Sequence, residues 1–189
     1  AATTYPKPRE VINEVNKAFT LYGANPGRSG HDMSMNTALA VYSAREILNS
    51  FFDGYGSEYV SFTSNCTESL NMAIKGILKN GDHVIITSLE HNSVLRPVIK
   101  LAEQKMISFS VFTVSQNEEE TLFNLKKEIR SNTKLIIATA VSNVFGDILP
   151  LENIGKIAKE NNILFMVDGA QGAGVIPIKM KQTGINCLC

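Results

Sequence analysis

The sequence predicts an α/β fold, a mostly parallel sheet covered by helices on both faces, from three observations. Apolar runs of strand length recur along the chain and are continuous rather than alternating. Stretches with the i, i+3, i+4 spacing of amphipathic helices lie between them. Glycine, proline and asparagine mark the joints. Continuous apolar strands belong to sheets buried on both faces, and strands separated by helices run parallel.

Each element follows in order. Residues 9–21 and 34–52 have helical spacing, the second closed by Asp53-Gly54. Residues 59–63 read as a strand and 67–78 as a helix ended by Asn80-Gly81. Strands at 84–87, 107–114, 135–140 and 163–167 then alternate with helices at 94–104, 122–130 and 151–160. The polar stretch 115–121, with its three glutamates, reads as a solvated loop. The closing GINCLC reads as the start of a further strand.

Composition narrows the function. The 189 residues are 44% hydrophobic, enough for one domain with a substantial core. Lys plus Arg number 18 and Asp plus Glu 18, with no basic tract, which argues against nucleic acid or an anionic membrane as partner. No apolar run is long enough to span a bilayer, and the N-terminal AATTYPKP is polar, unlike a signal peptide. Cys66, Cys187 and Cys189 are odd in number and scattered, which fits a reducing cytoplasm. Cys187-x-Cys189 lacks further ligands nearby, so no metal site is expected. Ala1 opens without a Met and Cys189 falls at the start of a strand, so a piece of a longer protein is expected.

Ligands of open α/β sheets sit beyond the carboxyl ends of the strands. Four such ends carry polar clusters: 64–68, 88–93, 141–147 and 168–171. Asn65 with Glu68 forms a capping box, and the start of that helix offers the N–H groups of Cys66 and Thr67 and the Thr67 hydroxyl to an anion such as phosphate. Taken alone, it is equally a plain helix cap. His91 is either structural or a flat ring that stacks on a planar ligand and moves protons. Asn143 either bridges its own loop or donates to a ligand oxygen. Asp168 ends an apolar strand, where a carboxylate is costly without a partner. That partner is a basic side chain, backbone N–H groups, or a cationic ring nitrogen on a ligand, which the carboxylate would keep protonated. Gln171 could reach a second polar group of the same ring. A phosphate, a flat ring and a basic ring nitrogen describe pyridoxal 5'-phosphate more naturally than a dinucleotide. GAQGAG does not have the G-x-G-x-x-G spacing, and Val175-Ile176-Pro177-Ile178 does not open a helix.

Six motifs together resemble one family. AATTYPKP and NPGRSGH, then FTSNCTESLN, EHNS, SNVFGDILP and VDGAQ, are similar, in order, to segments of fold-type I pyridoxal-phosphate enzymes of the class V aminotransferase group, above all the cysteine desulfurases and selenocysteine lyases. The resemblance implies a three-layer α/β/α fold with a mostly parallel mixed sheet. It implies that residues 1–189 are an N-terminal segment plus part of the large cofactor domain, the small C-terminal domain being absent. Cys66 and Thr67 would bind the cofactor phosphate, and His91 would stack on the ring and act as the catalytic proton carrier. Asp168 would pair with the ring nitrogen, Gln171 with the ring hydroxyl, and Asn143 would orient cofactor or substrate. Arg28 and His31 would lie near the site or a subunit interface. The implied reaction takes sulfur from L-cysteine, leaving alanine, in a cytoplasmic homodimer that forms a cysteine persulfide and hands its sulfur to an acceptor protein. Another class V aminotransferase, a kynureninase-like lyase, or a non-catalytic binding module are the alternatives. Asn65-Cys66-Thr67 departs from the family's Gly-Thr-Thr or Gly-Ala-Thr, and Cys66 reads as a small residue in that slot rather than a nucleophile. The lysine that carries the cofactor would fall a few residues beyond Cys189, so residues 1–189 alone are expected to be inactive. Lys179 and Lys181 are expected to be surface charges.

Overall fold

A computed structural model gives the fold and describes residues 6–27 and 30–189. Arg28 and the first five residues of the AATTYPKP motif lie outside the described residues. The chain divides into two compact units, Ala1–Ser61 and Phe62–Cys189.

The first unit carries α1 (Arg9–Leu21), α2 (Asp32–Phe51) and a single 3₁₀ turn at Ser57–Tyr59. His31 caps α2: its Nδ1 accepts the Ser34 N–H at 3.2 Å. The Ser34 hydroxyl, buried, donates to the Asn25 carbonyl at 3.0 Å. Here His31 acts as a helix cap.

The second unit holds the sheet: β1 (His83–Thr87), β2 (Ser108–Phe112), β3 (Thr133–Thr139), β4 (Leu164–Asp168) and β5 (Cys187–Leu188). Their spatial order is β2-β1-β3-β4-β5, and every neighbouring pair is parallel. Helix α3 (Cys66–Ile77) leads into β1. Helices α4 (Asn92–Glu103), α5 (Glu118–Glu128), α6 (Leu151–Glu160) and α7 (Met180–Thr183) make the successive crossovers. The chain moves outward from β1 to β2 and then returns past β1 to β3, so its direction across the sheet reverses between β1 and β3. Crossovers of one hand then place α4 on the opposite face from the later helices.

The strands alternate their side chains accordingly. Val84, Ile86, Leu135 and Ile137 pack with Leu70 and Ile74 of α3 and with Val94 and Val98 of α4. Ile85, Ile136 and Phe165 face the other way and are fully buried there. On that side Gly155 of α6 packs on Phe165. The result is the expected three-layer α/β/α arrangement.

Two local expectations are corrected. Residues 59–63 do not form a strand. Val60 is extended, but no ladder partner flanks it, and Tyr59 and Phe62 are exposed by 74% and 53%. β-propensity without a neighbouring strand makes no sheet. The stretch 115–121 is not all loop. Asn117 caps α5 by accepting the N–H groups of Glu119 and Glu120, so Glu118, Glu119 and Glu120 form its first turn. Three carboxylates there face the positive end of the helix dipole.

Candidate functional site

The carboxyl ends of β1, β3 and β4 put His91, Asn143, Asp168 and Gln171 after strand ends on one edge of the sheet, whereas Cys66 and Thr67 follow no strand and open helix α3. Asp168 is the last residue of β4, 3% exposed, and its register partner is Thr139, the last residue of β3. Its Oδ1 accepts the Ala170 N–H at 3.0 Å and the Cys66 thiol at 3.5 Å. Both of these donors are neutral, the Ala170 amide and the Cys66 thiol.

Cys66 opens α3, and its thiol contact places that helix start against the end of β4. The capping box forms: Asn65 Oδ1 accepts the Glu68 N–H at 2.9 Å, and the Glu68 carboxylate accepts the Ser64 N–H at 2.7 Å. That Ser64 bond holds Glu68 below the ordinary carboxylate range. The return bond goes to the residue before the cap rather than to the cap itself. Neither bond uses the N–H of Cys66 or Thr67, which therefore stand at the positive end of the dipole together with the exposed Thr67 hydroxyl. Asn65 takes an extended conformation (φ −170°), so the position does not demand glycine. Burial, followed by the Asp168 charge and hydrogen bond, pushes the Cys66 thiol up to about 12. Its thiol is therefore protonated and unreactive, as expected of a packing residue.

His91 caps α4. Its Nδ1 accepts the Ser93 N–H at 3.1 Å and lies 2.7 Å from the Ser93 hydroxyl. An acceptor Nδ1 places the ring proton on Nε2, which is left for other contacts. The ring is exposed.

Asn143 lies exposed in the loop after β3, and it does not hold that loop. Ser142 does: its hydroxyl accepts the Val144 and Phe145 N–H groups at 3.3 and 3.2 Å, and its N–H donates to the Asp147 carbonyl at 2.9 Å. The loop-bridging role considered for Asn143 belongs to its neighbour. Gln171, half-buried, sits in the turn after Asp168. That turn is tight because Gly172 packs just past the end of β3: a Cβ on Gly172 would come within 2.7 Å of the Ala140 Cβ. Gly172 of GAQGAG thus serves a close approach of backbone to the end of a strand, and Gly174 a left-handed backbone (φ +77°).

Sequence reasoning passed over Glu90, beside His91. It is 8% exposed, and its Oε1 accepts the Thr87 hydroxyl at 2.7 Å and the Thr139 N–H at 2.9 Å. The sequence offered only a weak signal, a carboxylate in the polar cluster three residues after β1, where Asp168 closes its strand directly. Lys179 and Lys181 are both exposed, as expected. Among the described residues no cluster of three or more His, Cys, Asp or Glu could hold a metal ion, and no helix is long and apolar enough to cross a membrane.

Comparison with known proteins gives one answer. The model of the class-V aminotransferase family matches residues 1–189. A probable cysteine desulfurase of Borreliella burgdorferi is 33% identical over 99% of this chain and 46% of its own. The mitochondrial cysteine desulfurase of Candida albicans is 37% identical over 99% of this chain and 38% of its own. The apo structure of a cysteine desulfurase from Thermococcus onnurineus NA1 superposes with a TM-score of 0.87 at 30% identity, covering 99% of this chain and 47% of that one. The chain spans about half the length of the curated relatives it matches.

Proposed function

The chain belongs to the class-V aminotransferase family, and from that premise we propose that it is the N-terminal segment and part of the cofactor domain of a pyridoxal-phosphate enzyme that takes sulfur from L-cysteine and leaves alanine. One observation carries the reading: a carboxylate, Asp168, buried at a strand end with only neutral donors on its Oδ1. A buried charge of that kind is costly unless a cation meets it, and the ring nitrogen of pyridoxal phosphate is a cation of the right kind. The donor set fits the rest of the cofactor: two amides and a hydroxyl at a capped helix start for the phosphate, and an exposed imidazole for the ring face.

When bound, the cofactor withdraws electrons from the carbon beside the substrate nitrogen. This chain's residues do the remaining work. Cys66 and Thr67 hold the phosphate through their amides and the Thr67 hydroxyl. Asp168 keeps the proton on the ring nitrogen. His91 stacks on the ring and moves protons through Nε2, because Nδ1 is engaged by Ser93. Gln171 meets the ring hydroxyl, and Asn143 orients cofactor or substrate. The persulfide forms on a cysteine outside residues 1–189. The enzyme works as a homodimer, passes sulfur to an acceptor protein and resides in the cytoplasm; the three free thiols fit a reducing compartment.

Two measurements test the reading. Titrating the 189-residue chain with pyridoxal phosphate should give saturable binding that inorganic phosphate weakens, and Asp168→Asn should loosen it about tenfold, or ~1.4 kcal/mol. The full-length protein should release sulfide and alanine from L-cysteine. Amino transfer to a keto acid without sulfide would defeat the desulfurase assignment in favour of another class V reaction.

A further inference from the structure

Glu90 is a second buried carboxyl on the rim, and the function proposed above does not use it. Its Oε1 takes hydrogen bonds from Thr87, the last residue of β1, and Thr139, the last residue of β3. One oxygen thus ties together the two strand ends between which the chain reverses direction. Its Oε2 is buried and has no hydrogen-bond partner among the described residues. Thr139 is also the register partner of Asp168, so the two acids flank one strand end.

Both acids cannot be charged there cheaply. An ionised Glu90 would leave one bare charged oxygen in the interior, close to a like charge on Asp168. A protonated Glu90 leaves only a neutral O–H unpaired, while Oε1 keeps both of its bonds. Two acids whose surroundings push their proton affinities apart divide the roles between them.

We propose that Glu90 is a positioning residue: on the acid side of neutrality it is an uncharged carboxylic acid that clamps the ends of β1 and β3 and leaves the negative charge of the rim on Asp168. Placing that charge opposite a cofactor ring rests on the function proposed above; the protonation of Glu90 does not. Burial, the largest influence, pushes the Glu90 acid up to about 7; the Thr87 and Thr139 bonds pull it down, and the Asp168 charge adds to the rise. The groups around it leave Asp168 as its charged neighbour. Thr87 and Thr139 do not ionise in this range. His91, next in the chain, has its Nδ1 engaged by Ser93, and Cys66, at the start of α3, stays a neutral thiol.

The test is infrared difference spectroscopy on the 189-residue chain without cofactor, at pH 6, where ordinary carboxyl groups have ionised. A protonated carboxyl C=O band should be present, fade as the pH passes through about 7, and vanish in Glu90→Gln. Thr87→Val, which removes a donor that favours the charged form, should move the midpoint of that band to higher pH. This holds the idea to account even where Glu90→Gln fails to fold. Absence of the band at pH 6, its survival in Glu90→Gln with loss in Asp168→Asn, or an unmoved midpoint in Thr87→Val each overturns the proposal. In parallel, Glu90→Gln, which preserves a neutral clamp, should keep pyridoxal phosphate affinity within about twofold of wild type, an energy below ~0.5 kcal/mol. A tenfold loss in that variant would show that a charged Glu90 is needed and overturn the proposal. If wild type binds no pyridoxal phosphate at all, the functional reading fails while the infrared result still judges Glu90.

Discussion

The Cys66 thiol donates to Asp168 Oδ1 at 3.5 Å, across 102 residues of sequence. The contact joins the first residue of α3 to the last residue of β4. The start of α3 and the carboxylate that ends β4 therefore lie side by side. The same contact settles the character of the cysteine. A helix N-terminus would favour a thiolate, but burial and the adjacent carboxylate oppose it and win.

Cys66 should accordingly resist alkylation. With its thiol at about 12, the thiolate is scarce at mildly alkaline pH, and modification should run roughly a thousandfold slower than at an exposed cysteine. Peptide mapping after timed iodoacetamide treatment separates it from Cys187 and Cys189. Asp168→Asn removes the like charge and should speed the reaction, but burial remains the largest influence, so the rate stays below that of a free thiol. Labelling of Cys66 at the free-cysteine rate in the native chain contradicts this account.

His91 caps α4 and, in the function proposed above, stacks on the cofactor ring; one substitution separates the two. Asparagine is as good an N-cap as any residue, so His91→Asn should keep α4 and change stability by less than about 0.5 kcal/mol. It removes the flat ring, so pyridoxal phosphate should bind several-fold more weakly. Urea denaturation reads the first effect and a cofactor titration the second. Lost stability with unchanged cofactor affinity would reduce His91 to a cap.

Glu90 should make stability depend on pH. Its acid lies at about 7 in the folded chain against an ordinary value of 4.5, so the folded state binds its proton more tightly. The contribution is complete below the unfolded value and is lost as pH rises through about 7. Between those limits wild type should lose up to about 3 kcal/mol relative to Glu90→Gln. Urea midpoints for both proteins at pH 4.5, 6 and 8 measure the difference. A constant gap between the two across that range would rule the effect out.

How much of this was legible beforehand depends on the range of the forces involved. Helices α1 and α6 appear with the predicted bounds, because apolar spacing and end signals are local. The strand expected at 59–63 fails because a strand needs a neighbour, which no local pattern supplies. The first turn of α5 was hidden because three glutamates look like solvated loop until Asn117 is seen to cap them. Asp168 stood out in the sequence as a carboxylate closing an apolar run. Glu90 did not, because its meaning comes from Thr139, 49 residues further on. Ser142, rather than Asn143, holds its loop, and only the geometry of the turn tells the two neighbours apart.

The packing of the layer opposite α3 and α4 can be tested with a matched pair of glycines. Alanine in a helix interior is worth up to about 1 kcal/mol over glycine. Gly76, in α3, has nothing within 4 Å of where a Cβ would stand. Gly76→Ala should therefore be neutral or stabilising. Gly155, in α6, faces the backbone of Thr183 at the end of α7, and a Cβ there would press on the Thr183 carbonyl oxygen and lie 3.5 Å from Phe165 Cδ1. Neither a carbonyl in the backbone nor a fully buried phenyl ring yields easily, so strain should outweigh propensity. Gly155→Ala should cost about 1–3 kcal/mol. Urea midpoints for the two variants should move in opposite directions, or only that of Gly155→Ala should fall. Equal stabilisation in both would mean that α6 and α7 do not approach closely at this glycine.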